Sequence, residues 1–216
     1  MREVVVHINP IIKMTNPKDY KELLALFKAG LAAGVIDKVE VTKWADGFIL
    51  TKNEPDYFFI ELSLAKSKND AITLIGEELD SAMLANGKAI LGLLHKRFTQ
   101  GDELEAIVKT MYHLLNNVEL SESEVWEIYT IAEYFDMAHT KVHGSLESVR
   151  QRVADFLALY KDYSIDNYPE WLELDKKADS ALEEANRKAR ERFEAEQKSR
   201  ENKKSWWKNL WQNNRN

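Results

Sequence analysis

The stretch that most constrains the fold is residues 37–64, where the chain concentrates its bulkiest apolar side chains. In the first half of this stretch, apolar residues recur three and four positions apart, at Val41, Trp44, Ala45, Phe48 and Ile49. This spacing puts them on one side of an α-helix. After a break at Asn53-Glu54-Pro55, residues 57–64 are apolar except at two positions, which predicts a second helix that is buried nearly all round. The other helices are expected to pack around this pair.

Helix-start signals punctuate the rest of the chain. Asn16 followed by Pro17 is a typical N-cap and first-turn pair, and Asn69 is predicted to cap another helix. Two pairs have the spacing of a capping box: Asp102 with Glu105, and Ser121 with Glu124. The helix after the second pair has a predicted buried face made of Val125, Ile128, Tyr129, Ala132 and Phe135.

These segments predict an all-α protein, an irregular multi-helix bundle of roughly eight antiparallel helices joined by short turns. No period of about 34 or 40 residues recurs, so a helical repeat array is not expected. With 4 Pro and 8 Gly, the chain is poor in the residues that a β-sandwich or barrel needs for its turns. Residues 2–8 are β-branched and are a candidate short N-terminal strand.

Composition limits both the chemistry and the location of the protein. The chain has no cysteine, which excludes disulfides and thiolate metal sites. It has no apolar run of the length that spans a bilayer, and its first apolar run, at residues 4–6, is too short for a secretion signal. We therefore expect a cytoplasmic protein.

The charge is divided unevenly between a body and a C-terminal extension. Residues 175–216 carry 12 Lys and Arg against 8 Asp and Glu, whereas residues 1–174 carry the remaining 18 against 28. We predict a helical domain over residues 1–174 and a C-terminal helical extension over residues 175–216, with one long helix in the extension. An acidic body and a basic tail are typical of segments that meet different partners.

His139 and His143 are the candidate metal ligands, with Asp136 upstream. On one continuous helix the three would share a side. The spacing lacks the glutamate of the HExxH motif, and a histidine near a helix C-terminus is expected from the helix dipole alone. We therefore expect no metal, no cofactor and no catalytic residue. A metal-dependent enzyme that uses the two histidines is the alternative.

The most specific local signal is the acid-free C-terminal dodecamer, in which the apolar residues fall at i, i+1, i+4 and i+5. The candidate binding residues are Trp206, Trp207, Lys208, Leu210 and Trp211. A basic, Trp-rich amphipathic turn is suited to anionic lipid, which would make the protein a peripheral adaptor at the inner face of the membrane. The alternatives are docking on its own domain or on a second copy in a homodimer. Single-stranded nucleic acid would need a broader basic groove, so no such partner is expected.

Part of the chain resembles the helix-turn-helix portion of small helical immunity proteins from bacterial toxin–immunity systems. The residues that carry the resemblance are Trp44-Ala45-Asp46, Pro55 and Ile60-Glu61-Leu62-Ser63-Leu64. The resemblance implies a non-catalytic bacterial protein that binds and blocks a cognate toxin in the cytoplasm. An acidic body suits that role, because acidic surfaces steer fast association with basic partners.

Overall fold

The structure is a computed structural model that describes residues 16–51 and 54–213, including their side chains except those of residues 193, 196 and 199–213. The candidate strand at residues 2–8 lies outside the described residues. Two short 3-10 turns, Pro17–Tyr20 and Tyr168–Glu170, precede the first and last helices. The elements are α1 (Lys21–Ala33), α2 (Lys38–Thr51), α3 (Tyr57–Ser63), α4 (Lys68–Glu78), β1 (Ala85–Asn86), α5 (Gly87–Thr99), α6 (Leu104–Leu114), β2 (Val118–Glu119), α7 (Glu122–His139), α8 (Leu146–Ala158) and α9 (Trp171–Asn213).

The prediction of an all-α protein with a long C-terminal helix is confirmed. Within the described residues, the strands are limited to β1 and β2, which pair in parallel with Ala85 opposite Val118. Gly87 makes the pairing fit, because a Cβ at this position would collide with the Glu119 carbonyl oxygen. Two-residue strands separated by two helices leave no periodic signal in the sequence, so the pair was not predicted.

Some predicted caps are formed and others are replaced. Asn16 caps the first turn, and Ser121 forms a reciprocal capping box with Glu124. The cap predicted at Asn69 is wrong, because Ser67 caps α4 in a box with Asp70. The box predicted for Asp102 is also wrong. The Asp102 carboxylate instead accepts a hydrogen bond from Arg97 Nε at 2.7 Å, and α6 begins without a side-chain cap.

The predicted pairing of α2 with α3 builds an aromatic core cluster, which consists of Tyr20, Phe27, Trp44, Phe48 and Phe59. The Phe48 and Phe59 rings stack with centroids 4.2 Å apart, and Trp44 meets Phe27 edge-on at 5.1 Å. Burial raises the pKa of the Tyr20 hydroxyl to about 12, because the phenolate loses hydration. Of the residues with helical spacing in α2, Val41 and Ala45 are therefore buried, whereas Trp44, Phe48 and Ile49 are half-buried.

One part of this prediction is wrong. Helix α3 is not buried all round, because Tyr57 and Leu64 are 69% and 72% exposed. A helix of two turns has one side against the protein, and here that side is occupied by Phe58, Phe59 and Leu62. The apolar residues at the two ends of α3 fall on the opposite side.

The chain divides into two compact units, Met1–Trp171 and Leu172–Asn216. The second unit is the remainder of α9, whose described part carries ion pairs between successive turns. Glu184 pairs with Arg187 at 2.7 Å and with Lys188 at 3.2 Å. Among the described helices, none has the length and apolar character needed to cross a bilayer.

Candidate functional site

Helix α7 exposes a regular stripe of side chains along its outer side. Five of its exposed positions alternate four and three residues apart, at Glu122, Trp126, Tyr129, Glu133 and Asp136. At 3.6 residues per turn, this spacing confines them to an arc of about 80°. The aromatic pair is central, with Trp126 65% and Tyr129 50% exposed. Carboxylates stand at both ends of the stripe.

Helix α6 places a second, shorter stripe beside the first. Three of its exposed residues, Glu105, Lys109 and Tyr112, are again four and three apart. Tyr112 meets Tyr129 edge-on with ring centroids 5.6 Å apart, so the two stripes are continuous across the helix pair. We call this surface the α6–α7 face, defined by Glu105, Lys109, Tyr112, Glu122, Trp126, Tyr129, Glu133 and Asp136.

The inner side of α7 is held by polar contacts as well as by apolar packing. Glu124 is fully buried, and its carboxylate accepts hydrogen bonds from the Ser121 N–H at 2.7 Å and the Tyr160 hydroxyl at 2.9 Å. Glu127 accepts two hydrogen bonds from the Arg152 guanidinium, at 2.6 and 2.8 Å. These contacts fix the rotation of α7, and the rotation decides which residues face outward.

That rotation corrects the buried face predicted for α7. Tyr129 was assigned to the interior, whereas the structure buries Ile131 and leaves Tyr129 on the outer stripe. The inner side carries Ile128, Ile131, Phe135 and Ala138 at helical spacing, and it also carries Glu124, a carboxylate that a hydrophobicity pattern assigns to solvent. The sequence did hold one signal for the outer stripe, because Trp126 and Tyr129 have the same spacing as the carboxylates that flank them.

The charges on the α6–α7 face are unbalanced. Lys109 Nζ is 2.6 Å from Glu105 Oε1, and this hydrogen bond, with the lysine charge, lowers the pKa of Glu105. Glu122, Glu133 and Asp136 have no ion-pair partner among the described residues. The face therefore presents uncompensated negative charge around three exposed aromatic rings.

The candidate metal ligands do not form a site. Helix α7 ends at His139, and Lys141 and Gly144 adopt positive φ angles of 58° and 77°, so His143 does not continue the helical face of His139. Among the side chains that the structure describes, no group of three or more His, Cys, Asp or Glu is placed to hold a metal ion. His139 instead stacks on Phe135 with centroids 5.7 Å apart.

His143 lines a cleft of about 430 Å³ between α7 and α8. The other polar residues of this cleft already have partners: Arg152 is bound to Glu127, and Gln151 donates a hydrogen bond to Asp155 at 2.9 Å. A second cleft, of about 400 Å³, is lined by four alanines and Lys28 of α1, by Met83 and Leu84, and by His113 and Asn117 of the α6 end. Neither arrangement defines a reaction.

The residues that carry the resemblance to immunity proteins have structural roles. Ala45 and Leu62 are fully buried, and the Ser63 hydroxyl donates a hydrogen bond to the Asp46 carboxylate between α2 and α3. Trp44 belongs to the aromatic core cluster. These residues hold the helical hairpin together, whereas Glu61 and Leu64 of the same motif are exposed.

The candidate residues of the C-terminal tail can be placed only by their backbone. Trp206, Trp207, Lys208, Leu210 and Trp211 lie in α9, and their side chains are outside the described residues.

Comparison with protein-family models, with curated proteins and with solved structures found no match in any of the three. The function is therefore argued from the α6–α7 face and from the chain's own chemistry.

Proposed function

We propose that this chain is a non-enzymatic bacterial protein that binds a protein partner through the α6–α7 face. The observation that carries the proposal is the group of three exposed aromatic residues, Tyr112, Trp126 and Tyr129, set between carboxylates that have no ion-pair partner in the described part of the chain. Each ring leaves about half or more of its surface in water although the protein has an aromatic core elsewhere. Exposed apolar surface grouped in this way is typical of interaction sites.

The composition of the face matches that of a protein interface. Tyrosine and tryptophan are the residues most enriched among binding hot spots, and they cluster at the centre of an interface inside a polar rim. Here the rings are central, and Glu122, Glu133 and Asp136 surround them. The α7 stripe covers 14 helical steps, or about 21 Å. That length is suited to an interface of standard size, which buries about 800 Å² on each partner.

The charge of the face defines the chemistry of the partner. Unpaired carboxylates beside aromatic rings favour a surface that offers lysine or arginine around an apolar centre. The acidic balance of residues 1–174 extends the same preference to long range, since a surface of one sign accelerates encounter with a surface of the other. Toxins that act on nucleic acids carry basic surfaces of this kind.

The specific form of the proposal is an immunity protein that neutralises a cognate toxin in the cytoplasm. It is supported by the resemblance of residues 44–64 to that class, together with the acidic, aromatic face on another part of the same unit. The hairpin and the face have different tasks in this proposal, because the first stabilises the fold and the second contacts the toxin.

The test starts from the gene directly upstream of this protein's gene, which the proposal expects to encode a secreted protein with a C-terminal toxin domain. Wild-type protein should restore growth to cells that express this domain and should form a stable complex with it. Trp126→Ala and Tyr129→Ala should each weaken the complex by about thirtyfold or more, since hot-spot truncations cost about 2 kcal/mol or more. The matched control is Tyr57→Ala, which removes an exposed ring from α3.

Two results would contradict the proposal. One is a neighbouring protein that is neither toxic nor bound. The other is a complex that Tyr57→Ala weakens as much as Trp126→Ala does, which would move the interface away from the α6–α7 face.

A further inference from the structure

The second inference concerns the end of α9 and does not depend on the proposed function. The helix runs without a break from Trp171 to Asn213, so the C-terminal residues have a defined helical register. In that register, Trp206, Trp207, Leu210 and Trp211 occupy one arc of about 140°. The opposite arc holds only polar residues, namely Ser205, Lys208, Asn209 and Gln212.

The charges of α9 change along its length. In the described stretch, acidic and basic residues alternate and pair, as Arg187 does with Glu184 and Glu191, both at 2.7 Å. Residues 203–216 contain four basic residues and no acidic residue. The last turns therefore carry net positive charge, on the segment where the tryptophans fall on one side.

We propose that residues 203–213 bind the surface of an anionic lipid bilayer, with the helix lying in the plane of the membrane. Tryptophan prefers the boundary between headgroups and acyl chains, because its ring is apolar and its indole N–H donates a hydrogen bond. Lysines in the same turns attract anionic headgroups. Tryptophan and lysine together on a short amphipathic helix are typical of an interfacial segment.

The length of the segment supports the same orientation. Eleven helical residues extend about 16 Å, which is half the thickness of the hydrocarbon core that a spanning helix must cross. The segment is long enough to lie on a membrane and too short to cross the hydrocarbon core. Binding through so few residues is reversible and depends on the lipid charge.

The experiment uses the full chain and sedimentation with vesicles of phosphatidylcholine alone or mixed with phosphatidylglycerol. Wild-type protein should pellet with the anionic vesicles, and added salt should release it. The combined variant Trp206→Ala/Trp207→Ala/Trp211→Ala should lose at least tenfold in vesicle affinity. Lys203→Gln, Lys204→Gln and Lys208→Gln should each cost on the order of fivefold.

Two controls match these changes on the Met1–Trp171 unit. Leu50→Ala/Tyr57→Ala/Leu64→Ala removes three exposed apolar side chains, and Lys66→Gln/Lys68→Gln/Lys96→Gln removes three exposed positive charges. Both should pellet as the wild type does. Light scattering of each protein without lipid reports its oligomeric state.

Three outcomes would overturn the inference. The first is equal pelleting with neutral and anionic vesicles, and the second is wild-type pelleting by the triple tryptophan variant. The third is an absence of vesicle binding in a wild-type dimer that the tryptophan substitutions convert to a monomer. In that last case the segment joins two copies of the chain instead of meeting lipid.

Discussion

Aromatic rings meet edge-on in two regions of the molecule, inside the protein in one and in water in the other. In the aromatic core cluster, Phe59 is 1% exposed and meets Tyr20 edge-on with ring centroids 6.2 Å apart. On the α6–α7 face, Tyr112 and Tyr129 make a similar contact while about half of each residue stays exposed. The ring geometry is alike, and only the surroundings differ.

The difference separates residues that stabilise the fold from residues free to bind. A ring in the core cluster is surrounded by the protein's own atoms, so its burial contributes to the free energy of unfolding. A ring on the α6–α7 face is exposed to water, so a partner can bury it, and that burial contributes to the free energy of binding. The comparison predicts that removing a ring from the core cluster lowers the free energy of unfolding strongly, whereas removing a ring from the α6–α7 face changes it little.

The largest expected effect is on stability in the core cluster. Phe59→Ala should lower the free energy of unfolding by about 3–5 kcal/mol, because it removes a buried ring and leaves a cavity. Trp126→Ala should change it by less than about 0.5 kcal/mol, as exposed substitutions usually do. Urea denaturation followed by circular dichroism measures both. An equal loss in the two variants would make the α6–α7 face part of the structural core.

A second contrast compares two carboxylates of α7. Glu124→Ala should cost about 3 kcal/mol, because it leaves the Tyr160 hydroxyl and the Ser121 N–H without their buried acceptor. Glu133→Ala, on the outer stripe, should stay within about 0.5 kcal/mol of the wild type. Equal values from urea denaturation would mean that Glu124 does not fix the rotation of α7.

A smaller effect on stability is expected when a glycine is replaced by alanine in each of two helices. Gly47 lies on the exposed side of α2 with open space where a Cβ would be, so Gly47→Ala should stabilise by about 1 kcal/mol through helix propensity. Gly92→Ala should destabilise, because its Cβ would meet the Tyr160 carbonyl oxygen and the Tyr163 side chain. Thermal unfolding distinguishes the two signs, and stabilisation by both variants would contradict the packing of α5.

The smallest effect appears only at alkaline pH. Tyr20 has its pKa raised by burial from 10.0 to about 12, so the folded protein holds this proton more tightly than the unfolded chain does. The contribution to stability is complete below pH 10 and is lost as the pH rises through 12. Denaturation at several alkaline pH values should show this loss, and Tyr20→Phe should reduce it. An unchanged slope in the variant would assign the effect to other groups.

Local sequence decided most of the helices and several of their ends. Caps such as Ser121 with Glu124 were predictable, because a cap depends on residues three positions apart. The wrong cap predictions show the limit of such local patterns. Asp102 has the right spacing, but the Arg97 side chain, which also bonds the Gly34 carbonyl, takes its carboxylate. Competition from a third residue is not visible in a pattern that links two.

For the candidate site, the sequence determined which residues share one side of α7, and the tertiary structure decided which residues are buried and which are exposed. The spacing from Glu122 to Asp136 specified which residues share one side of α7, since that follows from 3.6 residues per turn. The burial of Glu124 on the inner side depended on the Tyr160 hydroxyl, 36 positions away, which donates a hydrogen bond to its carboxylate. The pairing of β1 with β2 and the contact of Tyr112 with Tyr129 likewise required elements distant in the chain. Helical geometry is a local property, whereas burial depends on what the rest of the chain places alongside.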